Sequence, residues 1–318
     1  MNGKFFKSAI IFVSGFAVCF VVFFVLGNSI TERSSNVTTN SKEFPQNYKI
    51  ISPEFPHNLS FAGEKIPVEN FEVFERIDRE ILVNTYWHSA TVLIIKRANR
   101  WFPLIENILR ENKIPDDFKY IAAIESGLAN VVSPAKATGF WQILKEPAER
   151  YGLEVNDEVD ERYDVALATE AACKYLREAY NKFGSWTLTA ASYNMGMAGV
   201  SRQLERQKTN TYYNLVLGEE TSRYIARAVA IKEIFLNPKD FGYMIEKDDL
   251  YQPLNWNEIE LNGQTINLAD YALSQGVNYK TLKYYNPWLR DNTLTNRYGK
   301  TYKIKIPNMD KPELNYLR

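Results

Sequence analysis

Glu125 is the residue of this chain best placed to move a proton. It lies in Asp-Asp-Phe-Lys-Tyr-Ile-Ala-Ala-Ile-Glu-Ser-Gly, residues 116–127. Read as a helix, the stretch puts Phe118, Ile121, Ala122 and Glu125 at i, i+3, i+4 and i+7, on one face. Three of the four are apolar, so the face points inward and carries an acid with it. Gly127 is a natural helix stop. The acid is therefore expected half-buried at a helix C-terminus. Desolvation and the negative end of the helix dipole both disfavour its charged form. A carboxyl kept protonated near neutral pH can act as a general acid. The same pattern also suits a buried structural Glu paired with an Arg or Lys, and this stretch alone leaves both readings open.

Other chemistries find less support. Lys plus Arg is 38 and Asp plus Glu is 38, so the net charge is zero and no basic footprint for nucleic acid exists. Two His and two Cys, widely dispersed, show no zinc-site spacing. There is no Gly-rich nucleotide loop, and no metal or cofactor is implied. Cys19 sits in an apolar run and Cys173 in an expected helix, so no disulfide framework is read. Tyr (20), Phe (18) and Trp (6) are plentiful, enough to furnish both a core and stacking surfaces for sugar rings.

The elements that must position Glu125 follow from periodicity. Residues 9–27 carry no charge and approach the ~20 residues that span a bilayer as a helix. Lys4 and Lys7 precede them, which would keep the N-terminus cytoplasmic. The run exceeds the ~7–15 residues of a signal-peptide core, so segment 1–30 is read as an anchor in preference to a cleaved signal. Residues 31–68, rich in Ser, Thr, Asn and Pro, read as a tether spanning about 35 Å as a flexible coil, part of which can pack on the next domain.

Residues 69–246 read almost wholly as helix. Phe71 to Leu82 forms one apolar stripe, Val92 to Ala98 a second helix, and Pro103 starts or kinks a third ending near Asn112. After the Glu125 helix comes a loop to Gly139 and a short helix around Pro147. A long helix begins at Asp160 or Asp164 and ends at Gly184. Ser185 caps the next, and a last one runs from about Glu219 to Leu236, before Pro238. Residues 247–318 change character to strand–helix–helix–strand, with alternation at 258–261 and 302–306. The fold class is thus mainly α, a helical domain with a small α+β C-terminal module.

Four short segments stand out in order: Glu125-Ser126, Gly139-Phe-Trp-Gln-Ile143, Ala191-Ser-Tyr-Asn-Met-Gly196 and Thr221-Ser-Arg-Tyr224. Over about residues 70–246 the chain resembles the lytic transglycosylases, goose-lysozyme-like enzymes that cleave bacterial cell-wall glycan, and most resembles their membrane-bound lytic murein transglycosylase D group. The resemblance implies a lysozyme-like catalytic domain with Glu125 as its single catalytic acid. Glu125 would protonate the glycosidic oxygen between N-acetylmuramic acid and N-acetylglucosamine, then serve as base while the muramic 6-hydroxyl closes a 1,6-anhydro ring. An ordinary glycosidase uses two carboxylates.

By the same resemblance Ser133 would hydrogen-bond Glu125, and Gln142 would line the sugar groove. Tyr193 would steer the acid's proton, Asn194 would hold an acetamido oxygen, and Tyr224 would lie near the acid. A plain turn serine remains the other reading of Ser133. Phe140 and Trp141 are read as core before sugar platforms. Gly139 is read as a position of close backbone approach or positive φ. The last segment is similar to LysM, a peptidoglycan-binding βααβ module, through Leu268-Ala-Asp-Tyr-Ala, Asn286-Pro287 and Tyr302-Lys-Ile-Lys-Ile-Pro, although Gly263-Gln-Thr-Ile stands where the usual Gly-Asp-Thr-Leu opens the module. Peptidoglycan strands are then the partner, and the cell envelope the location. A water-consuming muramidase and a non-catalytic wall-binding scaffold remain the alternatives.

Overall fold

The computed structural model describes residues 49–263, 265–296 and 299–308. The apolar run 9–27, Cys19 and the first part of the expected tether lie outside these residues. Among the described residues no helix is long and apolar enough to cross a membrane.

Residues from Ile51 onward form one unit. Within the stretch read as a tether, β1 (Ser60–Phe61) and β2 (Glu64–Lys65) pair as a tight antiparallel hairpin. Leu59, Phe61 and Ile66 are fully buried in the helical core. The Pro-rich stretch thus packs from Leu59 on, because its three large apolar side chains have a core to enter. Glu64 on the same hairpin accepts from the Trp186 and Thr187 backbone N–H groups and from the Ser185 and Thr187 hydroxyls. A carboxylate there satisfies orphan donors of a helix start and complements its dipole.

The helices are α1 (Phe71–Tyr86), α2 (His88–Glu111), α3 (Lys119–Ser126), α4 (Lys145–Arg150), α5 (Val165–Phe183), α6 (Trp186–Met195), α7 (Met197–Gln207), α8 (Glu219–Ser222) and α9 (Tyr224–Leu236). The two helices expected around Val92 and Pro103 are one. Pro103 lies inside α2 on its exposed side, where water can serve the carbonyl its missing N–H leaves free. The expected Glu219–Leu236 helix is instead two, joined at Arg223. Helix α7 was not legible as a separate element; Gly196, at φ 79°, breaks it from α6.

Helix α9 is the centre of the domain. Tyr224, Ile225, Ala226, Ala228, Val229, Ala230, Ile231 and Ile234 are all buried, so the helix is apolar nearly all round. Its alanines allow α1, α3 and α6 to approach closely. The Glu125 helix is thereby held against the Tyr224 helix.

The C-terminal module pairs β3 (Trp256–Leu261) with β6 (Tyr302–Pro307) antiparallel, Leu261 opposite Tyr302. Helices α10 (Leu268–Ser274) and α11 (Tyr279–Tyr285) lie between them in the chain. A short β4 (Ile266–Asn267) to β5 (Thr293–Leu294) ladder joins the α10 entry to the long loop. The strand–helix–helix–strand order is as read. The module's core also takes in Val159, which belongs to the helical part of the chain. The Asp160 N–H donates to the Trp288 carbonyl, the Arg290 N–H to the Glu158 carbonyl, and Lys305 pairs with Asp164. Upstream of β3, Tyr251 and Gln252 lie along α2, bonded to Lys96, Asn99 and Arg100.

Candidate active site

Glu125 occupies the last turn of α3. A 3₁₀ turn, Asp116–Phe118, leads into the helix, and Gly127 closes it in the left-handed conformation, φ 61°, its N–H bonded to the Ala123 carbonyl. Glu125 is half-buried, as its place on the apolar face requires. The helix end is braced by two cations: Arg97 donates to the Gly127 carbonyl at 3.0 Å and Arg227 to the Ile124 carbonyl at 2.7 Å. These satisfy orphan carbonyls and offset the negative end of the dipole.

Tyr224, at the start of α9, donates its hydroxyl to Glu125 Oε1. Burial pushes the Glu125 carboxyl above the ordinary glutamate range, the Tyr224 bond and Arg227 pull it back, and Glu220 adds to the rise. Burial also drives the Tyr193 and Tyr224 phenols well above their usual range, so both are neutral hydrogen-bond donors at any working pH. The site therefore holds an acid biased toward its protonated form, with a fixed phenol donor on one oxygen.

The sequence-derived residues fall into two groups. Tyr224 touches Glu125 directly. Gln142, Tyr193 and Asn194 line a second cavity of about 400 Å³ with Tyr151, Tyr175 and Met195. The Tyr193 hydroxyl donates to the Trp141 carbonyl at 2.7 Å, and its ring packs edge-on to Trp141 and Tyr175. The phenol bonded to Glu125 is that of Tyr224.

Gln142 stands at φ 48°, an uncommon conformation for a non-glycine residue. Its Nε2 donates to the Val131 carbonyl at 3.0 Å and the Gly139 carbonyl at 2.7 Å. Carbonyls only accept, so the amide nitrogen must face them and the amide oxygen is left for another partner. Ser133 does not contact Glu125. Its hydroxyl accepts from the Ala137 N–H, the turn-serine arrangement. Phe140 and Trp141 are buried, and the Trp141 indole donates to Thr169 Oγ1.

Gly139 is required on two counts, φ 80° and a Cβ that would come 2.1 Å from the Arg162 carbonyl oxygen. Arg162 is itself buried, doubly bonded to Asp160, and donates to the Ile143 and Lys136 carbonyls. The Gln142 loop is thus held from behind by the segment that also docks the C-terminal module.

Sequence reasoning missed several contributors. Ser126 Oγ donates to the Phe140 carbonyl and ties the acid's helix to the Gln142 loop. A larger cavity of about 810 Å³ is lined by Glu125's chain neighbours Ile124 and Ser126, with Gly127, Arg97, Arg227 and the exposed Trp87 among others. Arg227 lies three residues beyond Tyr224 on one helix face, a spacing that could have pointed to it.

Residues 103–216 match the family model described as the transglycosylase SLT domain, and residues 257–310 match the soluble lytic transglycosylase C-terminal LysM-like domain. The match contains Glu125, Ser133, Gln142, Tyr193 and Asn194, while Tyr224 lies beyond its end. The chain is also similar to membrane-bound lytic murein transglycosylase D of Escherichia coli K12, 26% identical over 244 residues, 74% of this chain and 52% of the relative. The protein of the same name from Escherichia coli O6:H1 matches equally. The chain thus spans about half the length of the curated relatives it matches. With the SLT domain and the LysM-like module identified, the mainly helical architecture with its small βααβ unit is the one the sequence predicts.

Proposed function

We propose that the protein is a peptidoglycan lytic transglycosylase in which Glu125 is acid and then base. The observation that carries this reading is the Tyr224 hydroxyl bonded to a half-buried Glu125 at the end of α3, whose chain neighbours Ile124 and Ser126 line a cavity. Protonated Glu125 gives its proton to the oxygen leaving C1 of N-acetylmuramic acid, and the C1–O4 bond breaks. The substrate's own acetamido oxygen steadies the positive charge that develops at C1. The muramic 6-hydroxyl then adds to C1 and returns its proton to the Glu125 carboxylate. No water is consumed, and the acid is regenerated.

The two cavities, whose walls meet at the Asn194–Glu220 bond, provide room for sugars. Recognition in the smaller cavity is by the amides of Gln142 and Asn194 and by tyrosine faces, while the larger one adds Arg97, Arg223, Arg227 and the Trp87 ring. The division proposed with it is an anchor at 1–30, a linker from 31 whose end from Leu59 on packs into the core of the catalytic domain, that domain through 246, and a LysM-like module at 247–318. The relatives' printed name calls them membrane-bound. A cell-envelope location, facing the wall and anchored by residues 9–27, fits that name and the uncharged run.

The test is digestion of purified peptidoglycan by the full chain, with fragments weighed by mass spectrometry. Anhydro-muramic ends support the reading. Reducing ends one water heavier would make the protein a muramidase on the same fold, and no cleavage would leave a wall-binding scaffold.

A further inference from the structure

Asn194 is held from two sides by the segment that enters α9. Its Nδ2 donates to Glu220 Oε1 at 2.9 Å, and Thr221 Oγ1 donates to its Oδ1 at 2.6 Å. A carboxylate can only accept, so the amide nitrogen must face Glu220 and the oxygen must face Thr221. We propose that Glu220 is a positioning residue of the site: with Thr221 it fixes the Asn194 amide in one orientation, so that the groove reads an acetamido group in one direction only.

The arrangement has the right surroundings. Asn194 lines the cavity of Gln142 and Tyr193, whereas Glu220 lines the one beside Ser126 and Gly127. Their bond therefore joins the walls of both. Asn194 retains one N–H and one carbonyl lone pair, the pair an acetamido C=O and N–H would meet. Thr221 is buried, and the Tyr212 hydroxyl donates to the Thr221 and Ser222 carbonyls, which holds the α8–α9 turn still.

Glu220 also acts on Glu125 through its charge. The groups facing Glu125 are the Tyr224 hydroxyl and Arg227 from α9, the buried Tyr193 phenol from α6, and Glu220 from α8. Of these, Glu220 is the one that opposes ionisation as a like charge. It is exposed, so solvent screens the effect to a modest size.

The inference rests on Glu125 being the acid, and three variants of the full chain separate its parts. Glu220→Gln keeps an acceptor for Asn194 and removes the charge. The alkaline limb of kcat/KM on peptidoglycan should move down by roughly 0.5 pH unit. Glu220→Asp keeps the charge but falls short of Asn194. It should leave the limb in place and raise KM about tenfold, more than Gln does, as loss of one hydrogen bond to a charged group predicts. Glu220→Ala should show both changes. A KM that does not rise in Asp or Ala would overturn the positioning role, and a limb that does not move in Gln would overturn the charge effect. The Glu125 carboxyl titration, followed by carbon NMR in wild type and Glu220→Gln, reads the charge effect without turnover. An unchanged titration counts against the proposal even if the protein cleaves nothing, an outcome that by itself sinks only the lytic reading.

Discussion

A Cβ on Gly139 would lie 2.1 Å from the carbonyl oxygen of Arg162. This contact couples the loop that carries Gln142 to the segment that docks the C-terminal module. At φ 80° the backbone is also in a region L-residues avoid. Gly139→Ala is therefore expected to destabilise the fold by at least about 3 kcal/mol, by strain and by displacement of buried backbone. Chemical denaturation checks it; a loss below 1 kcal/mol would mean the loop yields freely.

Tyr224 gives Glu125 a donor that favours the carboxylate. Tyr224→Phe removes that donor at little cost in volume. The acid's pKa should rise further, so the alkaline limb of activity moves up, opposite in sign to the Glu220→Gln shift. The rate should fall roughly 10–100-fold, the equivalent of one hydrogen bond to a charged group. A pH–rate series on both variants tests the pair of signs together.

Glu125→Gln should lower cleavage by about 10²–10⁴-fold or more. It also makes a stability prediction. A carboxyl whose folded pKa is raised binds more protons when folded than when unfolded between the two values, so stability falls as pH rises through that window. Above the folded pKa the full penalty is present. Glutamine never ionises, so the melting temperature of Glu125→Gln relative to wild type should increase from acid toward neutral pH. A difference that is flat with pH would show that Glu125 ionises without penalty.

Val159 belongs to the core of the C-terminal module, and Lys300 pairs with Glu154 and Glu161 across the same seam. Truncation after residue 246 would expose that seam. Val159→Asp, which places an unpaired charge there, should destabilise the protein by on the order of 3 kcal/mol. Calorimetry of the full chain should show one shared transition; two well-separated ones would mean the module folds and melts alone.

Much of the helical frame was legible along the chain. Helix stops at Gly127 and Gly184, the Ser185 cap and the inward face of Glu125 depend on residues within a turn of each other, and so does the alternation of β6. Pro103 misled because a proline on an exposed helix face is tolerated, and that exposure depends on what packs behind it. The hairpin at 60–65 was read as tether because its three apolar residues show no period; only the core they enter explains them.

The site divides the same way. Sequence alone determined the helix that carries Glu125, the half-burial of that carboxyl and the closing Gly127. Tertiary structure decided which phenol serves the acid: Tyr224 bonds Glu125 while Tyr193 bonds Trp141. It likewise turned Ser133 into a turn residue and set Gln142 facing its own loop. These choices hinge on ångström distances between elements tens of residues apart, whereas periodicity encodes only which side of its own helix a residue faces.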